Sequence, residues 1–168
     1  MSIVIAEYDP SWPEEFAAEE RRIRRGLGAL ALSIDHVGST SVPGLAAKPV
    51  IDIQVTVADA EAGEACREPL VGLGYTYTTI PLPYFHQPSD WPHTHHIHVR
   101  EAGSVEARRM LAVRDWLRGH EADRRAYESL KRQLAEGSHA ETPQGRFRYS
   151  EGKTDFIREL EGRSRTGE

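Results

Sequence analysis

Cysteine is nearly absent from this 168-residue sequence. Cys66 is the only one, so no intramolecular disulfide can form and a cysteine-based zinc site is excluded. Any metal must be held by histidine and carboxylate. Long hydrophobic runs are missing as well. No apolar stretch approaches the roughly 18 to 20 residues that a membrane-spanning helix needs. The first residues also lack a charged segment followed by a hydrophobic one, as a secretory signal would show. These absences predict a cytoplasmic protein with no membrane partner. Nor is there an excess of positive charge: 21 Lys and Arg stand against 26 Asp and Glu, giving a net charge of -5. That balance disfavours broad electrostatic binding to nucleic acid and makes a small molecule the expected partner. No internal repeat or low-complexity tract breaks the chain. The length suits one domain, here residues 1–162, burying roughly 70% of its unfolded surface. Residues 163–168 are expected to fray as a tail.

The densest chemistry lies in residues 32–57, which read as a strand, a turn of small residues and a second strand. In the first strand Ile34 and His36 share one face, and Asp35 and Val37 the other. Gly38, Ser39, Thr40 and Ser41 then give a backbone that can approach an anion closely. The second strand alternates Ile51, Ile53, Val55 and Val57 with Asp52, Gln54 and Thr56, which turns the aliphatic set to a core and Asp52 away from it. A carboxylate therefore follows a possible phosphate cradle. The turn is not a P-loop, because Lys48 follows Gly44 without a GK pair or a following Ser or Thr. Nor is its spacing that of a dinucleotide-binding turn.

Upstream, residues 3–8 alternate weakly as a short strand, and Ser11 with Glu14 forms a candidate capping box for a helix carrying Trp12, Phe16, Ile23, Leu27 and Leu30 on one face. Residues 59–73 read as one helix begun by Asp59 and stopped by Gly72 and Gly74. Residues 75–79 are β-prone. The segment 80–92 contains four prolines with Tyr84, Phe85 and Trp91, and reads as an ordered loop or extended hairpin over the site. A strand follows in HTHHIHVRE, where Ile97 and Val99 alternate with His96 and His98. Helical periodicity then recurs at about 104–119, 121–136 and 150–161, with 136–148 as a connection.

Four histidines, at 93, 95, 96 and 98, fall within six residues. Neutral imidazole is a common metal ligand, and two on one strand face can share an ion with a carboxylate such as Asp52. The competing reading is a set of hydrogen-bonded histidines on a half-exposed strand. The candidate basic residues are Lys48, Arg100, Arg146, Arg148 and Lys153, with Tyr149 and Lys153 four apart as on one helical face.

Taken together, DHVGSTSVPGLAAKPVIDIQV, THHIHV, RDWLRGH followed by YESLKRQLA, and YSEGKTDFI resemble the GrpB family in order and spacing, from about Tyr8 to Ile157. The resemblance implies an α/β (α+β) nucleotidyltransferase-like fold, a small mixed β-sheet flanked by helices with a C-terminal helical layer, found alone or fused behind a dephospho-CoA kinase. In the wider superfamily a Gly-Ser turn contacts nucleotide phosphates and a strand with alternate carboxylates holds catalytic metal. Gly38, Ser39 and Asp52 match; the second acidic position holds Gln54, and a later strand offers His96 and His98. The expectation is a phosphate-bearing ligand, a nucleotide or coenzyme, on His36, Gly38, Ser39, Thr40, Ser41 and Arg148. A divalent metal (Zn, Mn or Mg) would lie on Asp52, His96 and His98. The catalytic groups for phosphoryl or nucleotidyl transfer or hydrolysis would be Asp52, His98, Lys48 and Lys153. A non-catalytic nucleotide- or coenzyme-binding module and a zinc-stabilised structural domain are the alternatives.

Overall fold

In the computed structural model, residues 3–79, 83–140 and 142–167 are described. The sheet is built around β2, Ile51–Val57, whose four aliphatic side chains are all buried. On one side β1, Ser33–Val37, runs antiparallel to it, pairing Asp35 with Gln54, His36 with Ile53 and Val37 with Asp52. On the other side β5, His95–Glu101, runs parallel, pairing Asp52 with His96 and Gln54 with His98. Two short strands, β3 at Thr76–Thr78 and β4 at Tyr84–Gln87, complete the order β1-β2-β5-β4-β3 with antiparallel pairings.

Because side chains alternate and paired residues share a face, this register sorts the sheet chemically. Ile34, His36, Ile53, Ile97 and Phe85 share one face. There the buried aliphatics pack against α1, Trp12–Leu27, and against α2 and α3, Ala60–Ala65 and Arg67–Gly72. The other face carries Asp52, Gln54, His96 and His98. The chain after β5 forms α4 at Val105–Gly119, α5 at Glu121–Glu136, α6 at Pro143–Glu151 and α7 at Thr154–Thr166. A second core joins Val42 and Leu45 of the turn region to Trp116, Leu117, Tyr127 and Leu160 of these helices. Among the described residues no helix is long and apolar enough to cross a membrane.

Several local expectations differ from what is observed. Residues 3–8 form no strand beyond a single bridge between Ala6 and Ala47. Ser11 sits at the helix start with αR backbone and makes no capping bond; its hydroxyl donates instead to Glu15 at 2.9 Å. Asp59 does cap, accepting from the Ala62 N–H at 2.9 Å. The expected helix over 59–73 breaks at Cys66 because Pro69 has no N–H for the Ala65 carbonyl and its ring would strike it. Within the expected loop, β4 occupies the proline-free run between Pro83 and Pro88; Ile80, Pro81 and Leu82 lie outside the described residues. The expected connection 136–148 contains most of α6, which begins at Pro143 and is capped by Thr142 accepting from the Gly145 N–H at 3.0 Å. Glu141 also lies outside the described residues. Helix α7 continues past Gly162 to Thr166.

Candidate metal and anion site

The parallel pairing of β2 and β5 places Asp52 and His96 side by side, with His98 one pleat further along the same face. Asp52 Oδ1 lies 3.4 Å from His96 Nδ1 and 3.3 Å from His98 Nε2. One ligand atom from each of the three residues falls within 4.8 Å of the others. Burial alone would raise the Asp52 carboxyl. Hydrogen bonds to His96 and His98 outweigh it and hold the carboxyl well below the usual carboxylate range. Burial pushes His96 down despite Asp52, which keeps its imidazole neutral and its lone pair available. Tyr84 of β4 covers the pair from one side, its ring centroid 5.0 Å from that of His96 and 6.2 Å from that of His98.

These residues form one wall of a cleft of about 220 Å³. Ser39, Thr40, Lys48 and Lys153 line it too, together with Tyr149, expected to point towards the site beside Lys153, and Ser150, which sequence reasoning missed. Lys48 Nζ lies 5.2 Å from the Tyr149 ring centroid and 5.6 Å from that of Trp91, and Lys153 Nζ lies 4.4 Å from the Tyr149 ring. Burial lowers both ammonium groups. Lys153 falls to about 7, pushed further by Lys48 and opposed by Asp52, and Lys48 is lowered with Asp52 opposing and Arg146 assisting. Arg146 stacks on the Trp91 ring at 4.8 Å. The site thus holds two lysine amines, a carboxylate and two imidazoles in a confined space.

Other expected site residues are placed elsewhere. His36 is opposite Ile53, on the α1 face of the sheet, and does not line the cleft. It stacks on Phe16 at 4.8 Å, and its Nε2 is 3.0 Å from Thr40 Oγ1. Because the Thr40 hydroxyl donates to the Val50 carbonyl at 3.1 Å, His36 Nε2–H is the donor in that contact. Burial drives His36 down to about 4, so it is a neutral brace for the turn. Ser41 is also turned inward, donating to the Gly38 carbonyl at 2.6 Å. Arg148 is exposed and absent from the cleft lining. Gly38 stands behind the site as a shaping residue, its φ at 71°.

Gln54 is fully buried, and its amide N–H₂ faces the Ala107 carbonyl of α4 at 3.3 Å and Thr56 Oγ1 at 3.4 Å. It is therefore beneath α4, not at the mouth of the cleft, and supplies no second carboxylate. One carboxylate with two imidazoles does not suit a pair of hard Mg²⁺ ions, which need anionic oxygen ligands. It fits a single ion that accepts imidazole and carboxylate together, Zn²⁺ above all and Mn²⁺ next. Lys131 of α5 is a further group that the sequence did not mark: it is buried, its ammonium donates to the Ala46 carbonyl, and burial lowers it to about 7. In a charged helix it reads as a solvated lysine.

The mixed five-stranded sheet, with a small-residue turn after its first strand and helices on both faces, has the nucleotidyltransferase-like fold. The Cid1 poly(U) polymerase, in its Mg 3'-dATP-bound crystal structure, superposes with a TM-score of 0.55 over 83% of this chain and 46% of its own, at 14% identity. That likeness concerns the fold alone. Within this class the chain belongs to the GrpB family, whose profile, described as GrpB protein, matches residues 2–163. A UPF0157 protein of Halalkalibacterium halodurans is 40% identical over 161 residues, covering 95% of this chain and 80% of that one. The crystal structure of GrpB from Enterococcus faecalis aligns with a TM-score of 0.82 at 33% identity, covering 96% of both chains. A partial match also exists to a dephospho-CoA kinase of Mycolicibacterium paratuberculosis, 46% identical over 70 residues, which is 40% of this chain and 17% of that protein.

Proposed function

We propose that this protein binds one divalent cation, Zn²⁺ or Mn²⁺, on Asp52, His96 and His98, and beside it a phosphate-bearing small molecule, a nucleotide or coenzyme. On this reading it catalyses phosphoryl or nucleotidyl transfer or hydrolysis. The supporting observation is the convergence of those three ligand atoms within 4.8 Å in a cleft that also holds Lys48 and Lys153. When bound, the ion would act as a Lewis acid on a phosphoryl oxygen. The remaining work falls to the chain. Lys48 offsets charge that develops on the phosphoryl group. Lys153, lowered to about 7, can donate a proton to a leaving oxygen and take up another from solvent at neutral pH. Ser39, which lines the cleft and also meets the Tyr127 hydroxyl, is the hydroxyl assigned to the phosphate on this reading, since those of Thr40 and Ser41 donate to backbone carbonyls.

Isothermal titration with nucleotides and coenzyme A precursors, in the presence of Zn²⁺ or Mn²⁺, tests the binding, and release of phosphate or pyrophosphate tests the turnover. The expected result is metal-dependent binding that Asp52→Ala abolishes. Binding and activity unaffected by Asp52→Ala would refute the site. A second reading, a non-catalytic sensor of the same ligands, is favoured by Gln54, an amide buried under α4 where a second metal-binding carboxylate would be expected. It predicts tight binding without product under any divalent metal.

A further inference from the structure

His93 lies outside the set of three ligand atoms, yet it touches one member of it. Its Nδ1 is 3.0 Å from Nε2 of His96. The other nitrogen of His96, Nδ1, faces Asp52 Oδ1 at 3.4 Å, towards the candidate ion. His96 is thus held at both ring nitrogens, one on each side.

A neutral imidazole carries one proton, and a nitrogen that gives its lone pair to a cation cannot carry it. If His96 Nδ1 binds an ion, the proton sits on Nε2 and points at His93 Nδ1. That atom must then be bare, so the His93 proton is on its own Nε2. Without an ion, the Asp52 carboxylate is the stronger acceptor and takes the His96 Nδ1–H. His96 Nε2 is then bare and accepts from a His93 Nδ1–H. Both arrangements keep one proton on each ring, and no proton is gained or lost overall.

We propose that His93 is a positioning residue for the metal ligand His96. Through the 3.0 Å contact it accepts from His96 when an ion is bound and donates to it when the site holds only Asp52. Few side chains can do both without moving. An imidazole does so by exchanging tautomers, and a carboxamide by turning its amide over. The ring of His93 is fixed for the purpose: it stacks on His86 with centroids 4.0 Å apart and planes 17° from parallel, and meets the edge of Trp91 at 5.2 Å. His86 is itself tied down, its Nδ1 3.1 Å from the Pro88 carbonyl. Partners that hold the second nitrogen of a metal-binding histidine fix its orientation and typically change metal affinity by about 10- to 100-fold when removed. His93 stands in that relation to His96. The inference rests on the metal reading of the Asp52 site.

The test compares full-length wild type, His93→Phe and His93→Gln for Zn²⁺ affinity by competition with a chromogenic chelator. Long-range ¹H–¹⁵N correlation spectra of the imidazoles, with and without Zn²⁺, accompany it. Phenylalanine keeps the stacking on His86 but neither donates nor accepts; glutamine can do either. The expected result is a loss of about 10- to 100-fold for His93→Phe, with recovery to within a few-fold of wild type for His93→Gln. In wild type, Zn²⁺ moves the protons of His93 and His96 from Nδ1 to Nε2. If wild type binds Zn²⁺ and His93→Phe binds it equally well, or if the tautomers stay unchanged on binding, the role of His93 is refuted while the metal site stands. If wild type binds no divalent ion, the metal reading fails and this inference fails with it. An equal loss of affinity in both variants also overturns it, because packing alone would then account for the effect.

Discussion

Gly38 lies so close to Asp52 that a Cβ on it would stand 2.5 Å from the Asp52 carboxylate oxygen Oδ2. The turn and the candidate ligand are therefore shaped to one another. The backbone at Gly38, with φ 71° and ψ -172°, is also in a region reserved almost wholly for glycine.

Gly38→Ala is accordingly expected to cost about 1 to 3 kcal/mol, read as a fall in chemical-denaturation stability, and to displace Asp52. Divalent-metal binding should weaken by more than the stability loss explains. An alanine variant that melts and binds metal as wild type does would show that the close approach has no role.

His36 makes stability sensitive to mild acid. The unfolded chain takes up the His36 proton as pH falls past its ordinary 6.5, whereas the folded protein resists it until about 4, owing first to burial. The contribution is complete above pH 6.5 and is lost as pH falls towards 4, by about 3 kcal/mol. Urea denaturation of wild type and His36→Phe across pH 7 to 4 checks this. The variant, which keeps a ring against Phe16, should show a shallower fall. His93, lowered to about 4 in its own right, acts in both proteins and leaves the difference unchanged. Asp52 acts only below the ordinary carboxylate range.

Lys131 gives the opposite limb. Its folded value of about 7 lies below the ordinary 10.5, so the unfolded chain holds more protons across that interval and stability rises with pH through it. Lys153 has the same sign and value and Lys48 the same sign, so Lys131→Met should make the climb between pH 7 and 10 shallower without abolishing it. Above pH 10 the buried hydroxyls of Tyr75, Tyr127 and Tyr149, all raised by burial, reverse the trend. An unchanged slope in the methionine variant would mean that Lys131 stays charged in the folded protein.

Asp52→Asn preserves shape and removes charge. It should lower Zn²⁺ or Mn²⁺ affinity by at least the about 10- to 100-fold that loss of a hydrogen-bond partner to a metal ligand costs, and also lower the melting temperature at neutral pH, since the depressed Asp52 carboxyl stabilises the fold there. Equal metal affinity would place any bound ion elsewhere.

The sequence made some of this legible, for physical reasons. The strict alternation of β2 and the His-Ile-His-Val pattern of β5 reveal half-buried strands, and they mark Asp52, His96 and His98 as sharing the side away from the aliphatic core. Alternation also groups Ile34 with His36, but it cannot say which face of the neighbouring strand they join; the pairing of His36 with Ile53 decides that, and takes His36 out of the cleft. The segment PQGRFRYSE has little helical periodicity, so α6 was hidden, although Tyr149 was already expected to face the site. Lys153 and Tyr149 were expected on one helical face. Lys153 instead follows the end of α6 and precedes α7, yet its ammonium still reaches the Tyr149 ring. A lysine in a charged helix carries no mark of burial, which is why Lys131 was unforeseen.

The most direct measurement is an anomalous-scattering map from crystals grown with Zn²⁺ or Mn²⁺. The account predicts one peak about 2.0 to 2.2 Å from an Asp52 oxygen, His96 Nδ1 and His98 Nε2. A map with no peak in the cleft, or with the ion on other residues, would contradict it.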